Sequence, residues 1–514
     1  MPVKYIVEQI QFPSWAGDRF KKLDIYQRFL DGKIYDHLQF PFYQEVEDGT
    51  QAYIPLRERR PSVIYNLCRL VVNRSSRLLF GGKHFPKFIC PDKEAVEFIQ
   101  RVKDKFNLQG AMLEAAYTGA IGSVGVFFSI IEENIAFEII NPRWCMPRFD
   151  KLCELEEVMI MYPVCGYDLY SCGYSIDEDD INEEFFFAKK LTKTEEIRFV
   201  PIKVDEYEKQ SNLVIDKERS VVHDFGFVPG VWIKNLFPGE GVDGECTFSQ
   251  ILNSSVEIDY QLSQCGRGLK YNSDPQLMIK EPSGNSTLVT SPMGNADTPT
   301  IRSASNALFV GEEGDAKLLE ISGAGQKAVL DYVKQVRQYA LETVASSVKD
   351  AESSYGNTSG RAMEILEGDL VAFASVLRLT YGEKGLKPLV FKLLKAAKLK
   401  GWVNSDPTSD KDFDIELYWG NWFDPTPTDM SQTEIALDLA VKSKRLFMHE
   451  ARMISAGMWD VGHSDPHKLE AQWPIPDDPD LPGLREEPES ESESSDPKTE
   501  NEKDPRARNS KVSG

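Results

Sequence analysis

The sequence predicts an α+β protein built from several structural units. Apolar residues recur at three-four spacing in the first quarter of the chain and again beyond residue 245, the pattern of amphipathic helices. Between about 118 and 235 the pattern changes to short β-branched and aromatic runs separated by polar turns. A chain of 514 residues, read at ~100 to 200 per domain, with 41% hydrophobic residues, 11% aromatics and eight tryptophans, has core material for more than one unit.

The elements follow in order. Residues 1–55 read as an N-terminal arm. A helix is predicted to open just after Arg60, because Pro61 suits a first helical turn, Val63, Ile64, Leu67, Leu70, Val71 and Leu78 recur at helical spacing, and Gly81-Gly82 supplies a stop. Two more amphipathic helices are predicted over 92–106 and 109–117. The runs 124–131 (VGVFFSII), 135–140 (IAFEII) and 158–164 (VMIMYPV) read as strands, and a very acidic loop follows at 177–184 (DEDDINEE). From 245 the spacing predicts a helix of about six turns, with Phe248, Ile251, Ile258, Leu262, Cys265 and Leu269 in one series, Ser255 as its gap, and an end near Asp274-Pro275. Short strands such as 276–279 and 307–310 then alternate with turn-rich sequence up to 322. Helix returns over 325–348 on a stripe of Val329, Val333, Val336, Ala340, Val344 and Val348, where packing rather than propensity decides.

Residues 349–360 (KDAESSYGNTSG) are polar and small, a loop between two long helices, with Asn357, Thr358 or Ser359 available to cap the second. That helix carries Ala362, Leu366, Leu370, Phe373, Leu377 and Tyr381 on one side and pauses at Gly382 and Gly385. It then continues through Leu399 with Lys387, Lys392, Lys395, Lys398 and Lys400 on a solvated face. A strand over 414–419, a turn-rich stretch at 423–429 and a helical region over 430–456 complete the folded part. Beyond Trp473 the composition turns to Pro, Ser, Glu and Asp, and a disordered tail is expected.

The charge excludes some functions. Lys plus Arg number 59 and Asp plus Glu 81, a net −22 that argues against tight wrapping of nucleic acid on a broad basic surface. Residues 475–514 hold 12 acidic and 6 basic side chains, so −16 remains on residues 1–474. No run approaches a membrane span, and the broken apolar content of residues 1–12 does not fit a secretory leader, so export by that route is not expected. The eight cysteines, Cys68, Cys90, Cys145, Cys153, Cys165, Cys172, Cys246 and Cys265, include no C-x-x-C pair. They read as reduced thiols of the core and strands in a cytosolic setting.

Catalytic motifs do not assemble. Gly119, Gly122 and Gly125 follow a helix and enter a strand, the reverse of a dinucleotide fingerprint. The stretch 323–327 (GAGQK) precedes a helix but lacks the frame and the Lys-Ser/Thr pair of a phosphate loop. His463 and His467 are separated by a sequence containing Pro466, which opposes the helix that would align them. With no G-x-S-x-G or H-E-x-x-H, no catalytic residue, cofactor or metal ligand is assigned and a non-enzymatic role is expected.

Several segments, taken in order, carry a resemblance: 60–82 (RPSVIYNLCRLVVNRSSRLLFGG), 115–128 (AAYTGAIGSVGVFF), 140–150 (INPRWCMPRFD), 355–366 (YGNTSGRAMEIL) and the tryptophan-bearing strand that leads into 423–429. Over roughly residues 50–460 the chain resembles the portal proteins of tailed double-stranded DNA bacteriophages or of phage-derived particles. The resemblance implies a portal-type fold with a mixed wing over 56–244, stem helices at 245–274 and 323–348, and a small β-containing clip at 275–322. It implies a tunnel loop at 349–357, a long wing helix and strand over 358–429, and a helical crown over 430–474. The channel-facing residues would be Lys349, Asp350, Ala351, Glu352, Ser353, Ser354, Tyr355, Gly356 and Asn357. It further implies a homo-oligomeric ring of twelve subunits, assembled in the host cytoplasm and placed at the portal vertex of the virion. The partners would be the terminase large subunit, a head-tail adaptor, the major capsid and scaffold proteins, and double-stranded DNA that passes through without tight binding.

Residue chemistry agrees with this on its own terms. Each Lys or Arg that neutralises a phosphate adds affinity and would hold a moving duplex, which an acidic or neutral wall avoids. Two other classes remain open in the sequence. One is a cytosolic scaffold or adaptor of helical bundles. The other is a metal-dependent nucleic-acid enzyme, for which Asp414 and Glu416, two apart on a strand, supply only part of a carboxylate set.

Overall fold

The computed structural model describes residues 2–48, 52–207, 213–273, 276–280, 315–319, 324–344, 367–404, 414–423, 427–448, 451–452 and 454–455. Residues 1–426 and 427–514 are two separate units. The first is a mixed α+β fold of helices and several small sheets, as the alternating periodicities predict.

Helices α1 (Val3–Val7) and α2 (Asp18–Asp31) precede a two-residue parallel pairing of β1 (Phe40–Pro41) with β2 (Arg59–Arg60). Ile6, Leu23, Phe29, Leu30, Ile34 and Tyr35 of this region are buried together with the helices from residue 248 onward. The next helix, α3 (Leu67–Phe80), starts six residues later than the position of Pro61 predicts. Residues 61–66 are instead non-helical, because the amides of Val63 and Tyr65 donate to the side chains of Ser263 (3.1 Å) and Asp259 (2.7 Å). Asn66, at φ 48°, then caps the helix by accepting from the amide of Arg69.

After β3 (Lys87–Ile89), α4 (Lys93–Phe106) is capped by Asp92, whose carboxylate accepts from the amides of Glu94 and Ala95. Helix α5 (Leu108–Gly119) is capped by Asn107. The predicted β region is β4 (Ser123–Ile131), β5 (Asn134–Ile140), β6 (Cys145–Phe149), β7 (Leu155–Cys165), β8 (Glu184–Leu191), β9 (Glu195–Phe199), β10 (Ile202–Lys203), β11 (Ile215–Val222) and β12 (Gly230–Lys234). Two short helices interrupt it, α6 (Gly166–Ser171) and α7 (Val204–Tyr207). β12, β4 and β5 form a three-stranded antiparallel sheet, and β11-β9-β8-β7-β6, with β10 on β8, form a second sheet. β4 is buried on both faces from Ser123 to Phe128, which explains its unbroken apolar run. Val124, Val126 and Phe128 join a core with α4 and α5, while Phe127 joins Val158, Ile160 and Trp232.

The chain then forms α8 (Leu252–Ser273) after a 3-10 turn, Ser249–Ile251, rather than from 245. Strand β13 (Gln276–Lys280) pairs antiparallel with β14 (Asp315–Leu319), and α9 (Ala324–Thr343) returns along α8. β14, with a single pair of leucines and no β-branched residue, carried too little strand signal to be predicted, and the predicted strand at 307–310 lies outside the described residues. Beyond it, α10 (Gly368–Leu377) does not pause at Gly382 and Gly385. It runs through a π-helical segment, Arg378–Leu386, into α11 (Lys387–Leu399). The two glycines are close approaches: a Cβ on Gly382 would lie 2.6 Å from the Trp419 ring, and one on Gly385 2.6 Å from Ile233. β15 (Glu416–Tyr418) pairs with β3. In the second unit, α12 (Pro427–Lys442) is followed by helical residues whose Ser455 hydroxyl donates to Glu434.

The core join between sheet and long helix is tight. Tyr381, fully buried, donates to the Asn235 side chain at 3.1 Å, and a Cβ on Gly119 would stand 2.2 Å from its hydroxyl. Gly119→Ala is therefore expected to cost about 1–3 kcal/mol of overpacking. Because the clash is with the hydroxyl, the cost in Gly119→Ala/Tyr381→Phe should be clearly less than the sum of the two single costs. Denaturant unfolding of the four proteins checks this; strict additivity would contradict the geometry.

Candidate functional site

The candidate feature is the pair α8 and α9 with its β extension. Antiparallel pairing from Gln276↔Leu319 to Lys280↔Asp315 means the chain leaves along α8 and returns along α9. Residues 281–314, which join the two strands in sequence, lie outside the described residues. The pair is rooted by apolar residues: Ile251 of the preceding 3-10 turn, Val256 and Tyr260 of the first helix, and Val333, Ala340, Leu341 and Val344 at the second pack with the N-terminal helices. Gly268 lies at a close approach of the two, where a Cβ would meet the Gln326 side chain at 3.2 Å.

Polar residues run through the same buried face. Ser255, Asp259 and Ser263, four apart and so one above another along α8, are all buried. Asp259 is 2% exposed. Its carboxylate accepts from the Tyr35 hydroxyl at 2.9 Å and from the Tyr65 amide at 2.7 Å. Burial raises its pKa to about 6 against the opposing effect of these two donors. Burial and the facing carboxylate also push the Tyr35 phenol well above its usual range. Next to it, the Tyr260 hydroxyl donates to the Arg59 carbonyl at 2.9 Å, and the Arg337 guanidinium donates to the Tyr65 hydroxyl at 2.8 Å. The buried Arg59 guanidinium lies 3.6 Å from Glu45, which also pairs with Arg267 of α8. Residues 59–65 thus strap both helices at their root.

The predicted channel residues, Lys349, Asp350, Ala351, Glu352, Ser353, Ser354, Tyr355, Gly356 and Asn357, lie outside the described residues, as do His463 and His467. Asp414 stands just before β15 and its carboxylate is 2.8 Å from Lys387, whose hydrogen bond lowers the pKa of the acid. Among the described residues no three His, Cys, Asp or Glu are placed to hold a metal ion. Cys145 is buried, as a core thiol is expected to be, whereas Cys153 and Cys172 are exposed and lie outside the strands, which corrects the core-or-strand reading for those two. Lys392 does not sit on a solvated face. It donates to the Gly230 carbonyl at 2.7 Å, and burial lowers its pKa to about 8. Among the described residues no helix is long and apolar enough to cross a membrane.

Sequence reasoning passed over Asp259, although the S-x-x-x-D-x-x-x-S spacing, with Ser255 noted only as a gap, was the available signal. Its effect on stability has a definite sign. The folded-state pKa, about 6, exceeds the value near 3.9 of an unfolded aspartate. The contribution is therefore full below pH 4 and is lost as pH rises through 6. Asp259→Asn lacks this loss, so its stability relative to the parent should rise by about 1–2 kcal/mol between pH 5 and pH 7.5. Denaturant midpoints at the two pH values measure this, and a constant difference would show that the carboxylate titrates normally.

No family model matches the chain, and no curated protein matches it. Among solved structures it is similar to a chain of the virion of a native gene transfer agent particle. The TM-score is 0.30 and the identity 11%, over 78% of this chain and 96% of that chain. A likeness of that degree says nothing of what this chain does.

Proposed function

We propose that the chain is a portal subunit, one of a ring at a single vertex of a tailed-phage capsid or of a phage-derived particle. The observation that supports it best is the helix pair α8 and α9, rooted in the body and joined at its far end by the β13–β14 ladder. In this reading the pair is the stem, and the ladder with 281–314 is the clip that docks the terminase large subunit and later the head-tail adaptor. The mixed region up to β12 is the wing, which meets the major capsid and scaffold proteins.

The mechanism is passive guidance. ATP hydrolysis belongs to the motor, and this chain supplies the conduit, the docking face and a nucleus for shell assembly. Lys349 to Asn357 face the channel, where a segment holding both Lys349 and the acids Asp350 and Glu352 contacts the duplex without holding it. The net charge of −22 favours sliding over retention for the same reason.

Negative-stain microscopy of the purified chain should show rings with a central hole; monomers or open fibres would overturn the reading. Replacement of 349–357 by a Gly/Ser linker of equal length should leave the rings intact while DNA packaging or retention falls. Full packaging and retention by that variant would remove the loop from the channel.

A further inference from the structure

A cleft of about 260 Å³ lies between the N-terminal arm and the second sheet. Five aromatic rings line it: Phe12 and Trp15 of the arm, Phe20 of α2, Trp144 of the 3-10 turn before β6, and Phe186 of β8. The last four form one cluster, with centroids 4.9 Å apart for Trp15 and Phe20, 5.1 Å for Phe20 and Trp144, and 5.3 Å for Trp15 and Phe186. Phe186 is buried, whereas Phe12, Trp15, Phe20 and Trp144 are only half-buried and can be reached from solvent. Two polar features accompany the rings. The Asp24 carboxylate is shared by two guanidiniums, with Arg28 Nε and Arg143 Nη1 each at 2.6 Å, so this part of the wall carries one positive charge in excess. Glu184, the last residue of the acidic loop 177–184, also lines the cleft and is exposed.

The cleft is smaller than the ~300–1,000 Å³ typical of small-molecule sites, and its rings suit a proline-rich strand, which docks on aromatic side chains in polyproline II form with little entropy left to lose. A polyproline II helix repeats every three residues. In 476–488 (PDDPDLPGLREEP), Pro476, Pro479, Pro482 and Arg485 follow that period and so share one edge of such a helix. No other three prolines of the chain are spaced in this way. The edge offers prolines to the rings and then a cation to Glu184, while Asp477, Asp478 and Asp480, on the other edges, complement the excess charge at Asp24. The segment itself lies outside the described residues.

We infer that the cleft takes the edge formed by Pro476, Pro479, Pro482 and Arg485 of a second copy of this chain, with the prolines on the rings and Arg485 at Glu184. The inference rests on the ring proposed above, in which every copy has a neighbour and a contact between unlike surfaces can close on itself.

The test uses the full chain with p-benzoylphenylalanine in place of Leu481, a position off the docking edge. Copies labelled with the light and the heavy isotope of nitrogen are mixed before assembly and irradiated, and the cross-linked peptides are identified by mass spectrometry. The tail should be joined to peptides holding Trp15, Phe20 or Trp144, in pairs that combine the two isotopes. Pro476→Ala/Pro479→Ala/Pro482→Ala should lower that yield about tenfold or more, as for loss of three ring contacts. Glu184→Arg and Arg485→Glu should each lower it about threefold, and the two together should restore it. Glu184 is exposed, so this exchange probes the contact without removing a core side chain. Rings whose tails cross-link only within one copy, elsewhere or not at all overturn the inference and leave the ring standing. An undiminished yield in the proline variant, or no recovery in the charge exchange, overturns it likewise. A chain that forms no rings overturns both.

Discussion

The buried carboxylate of Asp259 is the constraint on which the rest of the arrangement depends. An acid with 2% exposure stays in a protein interior only where donors converge on it, and here they come from two distant parts of the chain, Tyr35 and Tyr65. Satisfying it draws residues 61–65 out of helical conformation and across α8, with Ser263 taking the amide of Val63 on the next turn. That path fixes where α3 can begin. Asn66 then has to turn the chain at positive φ, and its side chain both caps α3 and donates to the Leu30 carbonyl at the end of α2. One unfavourable burial therefore sets the relation of α2, α3, α8 and α9. Hydrophobic contact alone would not specify this, because apolar faces of similar size pack in more than one register.

The second join has the same logic with neutral groups. Asn235, buried after β12, donates to the Glu245 carbonyl and the Thr247 hydroxyl and accepts from Tyr381. It links the three-stranded sheet to the turn that starts α8 and to the π-helical segment. A π-helix is poorly packed by its own backbone and persists where side chains around it need the extra residue per turn. Tyr381 inward to Asn235, Gly382 under Trp419, and Gly385 against Ile233 are three such needs within five residues. The root of the helix pair and the long helix are thus tied to the same sheet through Asn235.

Much of this was legible in the sequence, and the exceptions share a cause. α4 and α5 start at Asp92 and Asn107, residues whose side chains cap their own amides, so the signal and its effect lie within a turn. The α9 stripe from Val329 to Val344 and the apolar run of β4 report burial directly. The start of α3 was misread because Pro61 is a local signal, whereas Asp259 and Ser263, almost two hundred residues away, decide the backbone there. The pause at Gly382 and Gly385 was misread in the same way: glycine as a breaker is local, glycine as room for Trp419 is tertiary. Lys392 belongs to this group, since its acceptors are carbonyls exposed by the turn into β12. The assignment of 349–357 to a channel rests on the sequence alone.

In the portal ring proposed above, the surplus of acid bears on assembly as much as on DNA. Copies that each carry −22 repel at long range, but at physiological ionic strength charges are screened beyond about 8 Å, so repulsion governs encounter more than the packed state. In the ring proposed above, what holds like-charged copies together must then be short-range and desolvated, where screening fails and geometry matters. Surface lysines do not qualify, being flexible and hydrated.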